Sequence, residues 1–294
     1  MSYLGRLARD VDDIIVVDGS DEEVFQAHRA RLPVNIRHHA PSERTAMGKV
    51  GGVVTGVQLA RHQLVVIADD DVRWSRALLE RAMAGLGDAD VARPQNVFVP
   101  TPWHARWDTG RILLNRATSG DWPGTLLVRR SALLEGYAGD ALFENLELVR
   151  TVRAAGGRER VLFGVVVPRI PPSARRFWEQ RVRQAYDEWA RPWRLALQLT
   201  WLPLAVLRPR RAVALAVGAV AFAEAGRRRA GGAAHWGPTA PLWVLPWLAE
   251  RAVTSWLAVL ARLRGGVRYR DGRLPVAAHS RRALRAAAGS ARER

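Results

Sequence analysis

Cysteine is absent from the 294 residues, which removes disulfides, thiolate metal sites and cysteine nucleophiles from consideration. Lysine is nearly absent, Lys49 being the only one among 45 basic residues. Met1–Asp13 lacks the apolar run of a secretory signal, so the site-bearing part is expected to stay in the cytoplasm. No Gly-x-Ser-x-Gly elbow, Walker loop or dinucleotide glycine fingerprint is present, which leaves hydrolase, NTPase and dehydrogenase readings without support. The formal charge of +17 invites a nucleic-acid reading. However, the arginines crowd into the C-terminal half beside tryptophan-rich apolar segments, a pattern that suits a membrane surface better than a duplex groove. No nucleic-acid partner is expected.

What is present begins with Leu64–Trp74, LVVIADDDVRW. Leu64–Ala68 is short and β-branched and runs straight into charge, as a buried strand ending at a site does. Asp69, Asp70 and Asp71 then fall where ligands bind in open α/β sheets, outside the carboxyl end of a strand. Alternate members of an extended triplet point the same way, so Asp69 and Asp71 suit one hard cation. A solvated acidic turn or a helix N-terminus fits the triplet equally well.

In chain order the pattern predicts a short helix at Tyr3–Val11, a strand at Asp13–Val17 ending in Asp18-Gly19-Ser20-Asp21, a helix at Glu22–Arg31 and a strand at Val34–His38. A helix opening at Gly48-Lys49 follows, then the aspartate strand. This alternation predicts a Rossmann-like, mostly parallel sheet with both acidic strand ends on one edge. Ser75–Gly85 reads as a helix and Asp90–Val99 as a strand bent at Pro94. Pro100–Asp121 reads as irregular, Thr125–Arg129 as a strand, Glu144–Ala155 as a helix and Arg160–Val167 as a strand. Arg175–Trp189 reads as one amphipathic helix. Trp193–Leu207, Ala212–Ala223 and Pro241–Leu263 are apolar, but the first two fall short of a comfortable membrane span and the third carries Glu250 and Arg251. The expected divisions are a catalytic domain over 1–173, an interface helix over 174–192, membrane-associated helices over 193–263 and an exposed basic tail over 264–294. His28, His38, His39 and His62 show no ligand spacing and read as surface or packing residues.

VVDGSD at Val16–Asp21, GKVGGVVTG at Gly48–Gly56, ADDDVRW at Ala68–Trp74, FENLEL at Phe143–Leu148 and FWEQRVRQ at Phe177–Gln184 stand in a characteristic order. Together they resemble family 2-type glycosyltransferases of the GT-A fold, most closely the membrane-bound ceramide glucosyltransferase-like branch. The resemblance implies that Asp18, Lys49 and Asp70 line a UDP- or GDP-sugar site, and that Asp69 and Asp71 are a DxD motif holding Mg²⁺ or Mn²⁺. It also implies that Gln180 and Arg183 are the first and fourth positions of a QxxRW motif beside the diphosphate. The product would be an inverting transfer to a lipid or lipid-linked acceptor at the cytoplasmic membrane face. Such a reaction needs a carboxylate to take the acceptor's proton. Where the family has Glu-Asp this chain has Glu144-Asn145, so Glu144 is expected to be the base, with Glu147 as the alternative. Trp103, His104, Trp107 and Asp121 occupy the acceptor-side stretch, where a membrane-facing aromatic loop and a plain turn are the competing readings. The family's first βα unit is missing, an upstream start codon being the simplest explanation. Asn145, Gln184 and that missing strand support a second reading, a catalytically impaired, glycosyltransferase-like membrane scaffold.

Overall fold

The computed structural model describes residues 3–269 and 272–292. After a short helix α1 (Tyr3–Leu7), the chain alternates β1 (Ile14–Val17), α2 (Glu22–Arg31), β2 (Ile36–His39), α3 (Gly48–Leu59) and β3 (Leu64–Ala68). It continues with α4 (Arg76–Leu86), β4 (Val91–Phe98), α5 (Trp103–Ala117), β5 (Thr125–Arg129), α6 (Glu144–Ala154) and β6 (Glu159–Arg169). The helices start where capping chemistry allows it. Asp21 caps α2 and Ser75 caps α4, each side chain accepting from a backbone N–H in the first turn.

The sheet comes in two pieces. β1 and β2 form a parallel pair, and a four-stranded sheet has the order β3-β5-β4-β6. In the larger sheet β4 and β6 are parallel, whereas β5 runs antiparallel to both β3 and β4. The expectation of one mostly parallel sheet is therefore corrected. β3, β4 and β6 share a direction, β5 opposes them, and β1 hydrogen-bonds only to β2. Among the described residues no strand precedes β1. α3 bridges the two pieces by laying Gly52 and Gly56 against Val17 of β1.

β4 is buried along its whole length and shifts register between Arg93 and Gln95, around the expected bend at Pro94. Pro100–Asp121, read from sequence as irregular, is largely the helix α5. Pro102 sits at its N-cap, and Ala105, Ile112 and Leu113 are buried at helical spacing. The tryptophans and polar residues between them hide that period. Arg175–Trp189 is likewise not one helix: α7 (Ala174–Glu179) and α8 (Arg181–Tyr186) meet at Gln180, and a 3₁₀ turn over residues 187–190 follows.

Three long helices follow: α9 (Pro192–Leu207), α10 (Pro209–Arg228) and α11 (Val244–Leu263). Among the described residues one helix, Ala240–Leu263, is long and apolar enough to cross a membrane by length and composition, and 44% of its apolar window is buried against protein. Its two central charges face protein. Glu250 lies 3.6 Å from Arg181 and accepts from Thr254, while Arg251 donates to Gln184 at 3.4 Å.

The segment after Arg264, expected to be an exposed tail, folds back. β7 (Val267–Tyr269) and β8 (Gly272–Leu274) pair antiparallel. Residues 275–279 then strap the α/β body: the amides of Leu142 and Phe143 donate to Val276 and Ala277, and Tyr186 Oη donates to Pro275. Val267, Leu274 and Ala277 enter the core beside Phe143 and Leu146. A last helix, α12 (Arg281–Arg292), packs on α6. Composition shows the arginines of this segment but not the few apolar side chains that anchor it.

Candidate active site

The aspartate triplet follows β3 as its sequence predicts, and backbone pairing fixes it on both sides. The amide of Asp69 donates to Gly124, at the end of the Asp121–Gly124 turn. On the other side Arg73 N donates to Pro168, and Ile170 N donates to Asp71. The end of β6 is thus stitched to the triplet, and Arg169 is brought against it.

Two cations occupy the carboxylates. Lys49, on the first turn of α3, lies 2.6 Å from Asp69 Oδ1 and 2.7 Å from Glu144 Oε1. Arg169 lies 2.7 Å from Asp71 Oδ2 through Nε and 3.3 Å from Asp69 Oδ2 through Nη2. Burial works against the lysine's charge, but Glu144 and Asp69 hold its proton far more tightly than usual. Burial raises Asp71 above the ordinary carboxylate range despite the opposing Arg169. Gly124 makes the arrangement possible, because a Cβ there would overlap Asp69 Oδ2 and crowd the Arg169 guanidinium.

These groups do not form a cage for a divalent cation. Hard cations take six or more oxygen ligands. Of the four oxygens on Asp69 and Asp71, only the buried Asp71 Oδ1 lacks a hydrogen-bond partner. Among the described residues no group of three or more His, Asp or Glu gathers as a metal site. Asp70 is exposed, and its carbonyl accepts from Arg73 Nη1.

The remaining sequence candidates scatter. Asp18 caps the end of β1 and is enclosed by Ser20 N (3.0 Å), His28 Nδ1 (2.7 Å) and His38 Nε2 (3.3 Å). Burial opposes its charge, yet these hydrogen bonds hold its carboxyl far below the usual range. His28 lies at the surface and His38 packs against Phe25, as their sequence reading has it, and both are in addition partners of an acid. His38 arrives through the β1–β2 pairing and His28 from α2, which spacing along the chain does not reveal. Gln180 marks the break between α7 and α8. Arg183 sits over the Tyr269 ring at 5.2 Å, with its Nε buried and without a hydrogen-bond partner.

On the acceptor side, His104 is buried and pairs with the Pro172 carbonyl at 2.8 Å. Asp121 is buried, and its Oδ1 accepts from both Arg111 and Asn115 at 2.8 Å. Both side chains thus have partners within the protein. Trp103 and Trp107 cluster with Phe177 and Trp178, and Trp103 and Trp178 remain exposed. Glu147, the alternative base, is fully buried and accepts from both His279 N (2.8 Å) and His279 Nδ1 (2.9 Å), so it cannot meet an acceptor.

Sequence reasoning missed two groups. Arg169 lies beyond a proline that reads as a breaker, 98 positions from its partner Asp71. Asp187, in the turn after α8, has a buried Oδ1 without a hydrogen-bond partner. Burial and then the nearby Glu144 charge push its carboxyl up to about 7. Neither has a local signal.

Neither a protein-family model nor a curated protein sequence matches the chain. Among solved structures it is similar to a mannosyltransferase from Pyrobaculum calidifontis in complex with GDP-mannose and Mn²⁺. That match has 20% identity and a TM-score of 0.52, and it covers 87% of this chain and 82% of the other. At that identity the likeness shows the fold alone, an α/β fold with the acidic triplet at the end of β3.

Proposed function

We propose that the protein is a glycosyltransferase that moves a sugar from a nucleotide-sugar to a lipid or lipid-linked acceptor at a membrane surface. The observation that carries this reading is the Lys49 bridge, which joins the acidic triplet after β3 to Glu144 at the start of α6. The similar structure is a complex with GDP-mannose and Mn²⁺, which makes GDP-mannose the first donor to test. The excess positive charge of the whole chain favours capture of an anionic donor.

Glu144 and Asp187 supply the acceptor side. Lys49 keeps Glu144 Oε1 paired, which weakens that carboxylate as a base, whereas Asp187 is poised near neutrality where a general base works best. The proposed step is inverting. The acceptor oxygen attacks the anomeric carbon as its proton passes to this carboxylate pair, the bond to the diphosphate breaks, and the departing charge falls beside Lys49.

Membrane association is supported by α9, α10 and α11, which pack together yet leave Trp193, Val206, Val217, Trp256 and Leu263 outward. Arg208, Arg210 and Arg211 sit exposed at the α9–α10 turn, where anionic headgroups would meet them. In this reading the helices lie against the cytoplasmic leaflet. The full chain, reconstituted with membrane lipid extract and labelled GDP-mannose or UDP-glucose, should move label into the organic phase. If no donor yields labelled lipid or released nucleotide, the reading fails.

A further inference from the structure

We propose, taking the nucleotide-sugar reading as given, that Arg169 and Lys49 are the resident cations of the site, so that a nucleoside diphosphate binds without a divalent metal. Four features of the structure carry this. The backbone holds Arg169 in place: Pro168 and Ile170, its two neighbours, are hydrogen-bonded to Arg73 and Asp71. The guanidinium is therefore registered between Asp69 and Asp71 by β6 itself. Second, those acids orient it as a fork, with Nε on Asp71 and Nη2 on Asp69. This leaves the Nη1 edge for a phosphate, in the bidentate manner that suits arginine.

Third, Lys49 is oriented the same way. Two of its three N–H donors point to Asp69 and Glu144, and the third is free for a phosphate oxygen. The lysine and arginine side chains are 24% and 28% exposed, enough for a ligand to reach both. Fourth, on Asp69 and Asp71 a metal would have to displace one cation or both to gain more than the single oxygen at Asp71 Oδ1. In this view the aspartates do not grip a metal. They keep two cations ionised and aimed, and these provide the charge neutralisation that a leaving diphosphate requires.

The test is calorimetric titration of the full chain with GDP and with UDP, in EDTA and in Mn²⁺. Wild-type affinity should change by less than about threefold between the two conditions. Arg169→Gln should bind about tenfold or more weakly in EDTA, and Mn²⁺ should recover part of that loss through the uncovered Asp69 and Asp71. Arg169→Lys, which keeps the charge but not the fork, should fall between wild type and Arg169→Gln. Melting curves of each variant, with and without Mn²⁺, give a second readout, since Mn²⁺ should raise the melting temperature of Arg169→Gln and leave wild type unchanged. Binding by wild type only in Mn²⁺ overturns the inference while leaving the donor reading standing. Binding in neither condition overturns the donor reading and this inference with it.

Discussion

The side-chain amide of Asn145 donates to the carbonyl of Pro123 at 2.8 Å. Asn145 is the position where the resembling family carries an aspartate, and here it has a different task. It braces the turn whose next residue, Gly124, accepts the amide hydrogen of Asp69. Asn96 Oδ1 accepts from Gly124 N on the other side, and Arg93 holds the turn's start through the carbonyls of Ser119 and Asp121. Asn145 is thus part of the floor under the acidic triplet.

Restoring an aspartate at this position is expected to harm the protein. In Asn145→Asp a carboxylate would face the Pro123 carbonyl, at a cost of about 1–3 kcal/mol for a lost and repelled partner. Melting temperature should fall at pH 7.5 and recover in mild acid, where a protonated aspartate can donate again. An unchanged melting temperature at pH 7.5 would mean that the turn does not depend on this bond.

Removing the bridging lysine should separate binding from folding. Lys49→Met leaves Asp69 and Glu144 without their shared cation. Sugar transfer should drop by about 100-fold or more, the scale of losing one electrostatic stabiliser. The loss is read as labelled lipid formed per minute beside a melting curve. Full activity in this variant would exclude the bridge from the chemistry.

Gly124 offers a steric test of the same centre. Gly124→Ala places a methyl against Asp69 and Arg169. Affinity for GDP is expected to fall by about tenfold as these side chains are pushed off their shared geometry, and it should fall further in Gly124→Val. Calorimetry in EDTA measures it directly.

Asp187 predicts a pH signature. Its carboxyl is raised from 3.8 to about 7 by burial and by the nearby Glu144 charge. A carboxyl with a higher folded than unfolded value holds its proton more readily in the folded chain. The stability it contributes is therefore fully present below about 4 and is lost as pH rises through about 7. Asp187→Asn should flatten that decline between pH 5 and pH 8 in melting experiments. If Asp187 also takes the acceptor's proton, transfer should rise through pH 7 in wild type and be largely lost in Asp187→Asn. Glu144→Gln then assigns the roles: a loss of about 100-fold makes Glu144 the base, and a small change leaves Asp187.

Much of this centre is legible in the sequence because its strands announce themselves locally. Leu64–Ala68 forms a strand with the predicted bounds, and the helix opening at Gly48 carries Lys49 as expected. What sequence hides is long-range. Arg169 reaches Asp71, and His38 reaches Asp18, only after strands align. α5 escapes notice because His104, Asp108 and Arg116 are buried by ion pairs and carbonyl contacts, so its inner face does not look apolar. The split between β1 and β3 is likewise a property of the sheet, since each strand reads well alone.

The His279–Glu147 clasp sets an order of assembly. Glu147 sits one turn after Glu144 on α6, fully enclosed, and its hydrogen-bond partners come from the strap that enters the sheet side at Ala141. During synthesis the α/β body leaves the ribosome well before residue 279, and α9, α10 and α11 emerge between them. Until the strap arrives, a buried carboxylate has no partner and α6 cannot settle. The Glu147 pocket is therefore closed by residues that lie beyond α9, α10 and α11 in the chain, so settling of α6 waits on the strap rather than on its neighbours in sequence.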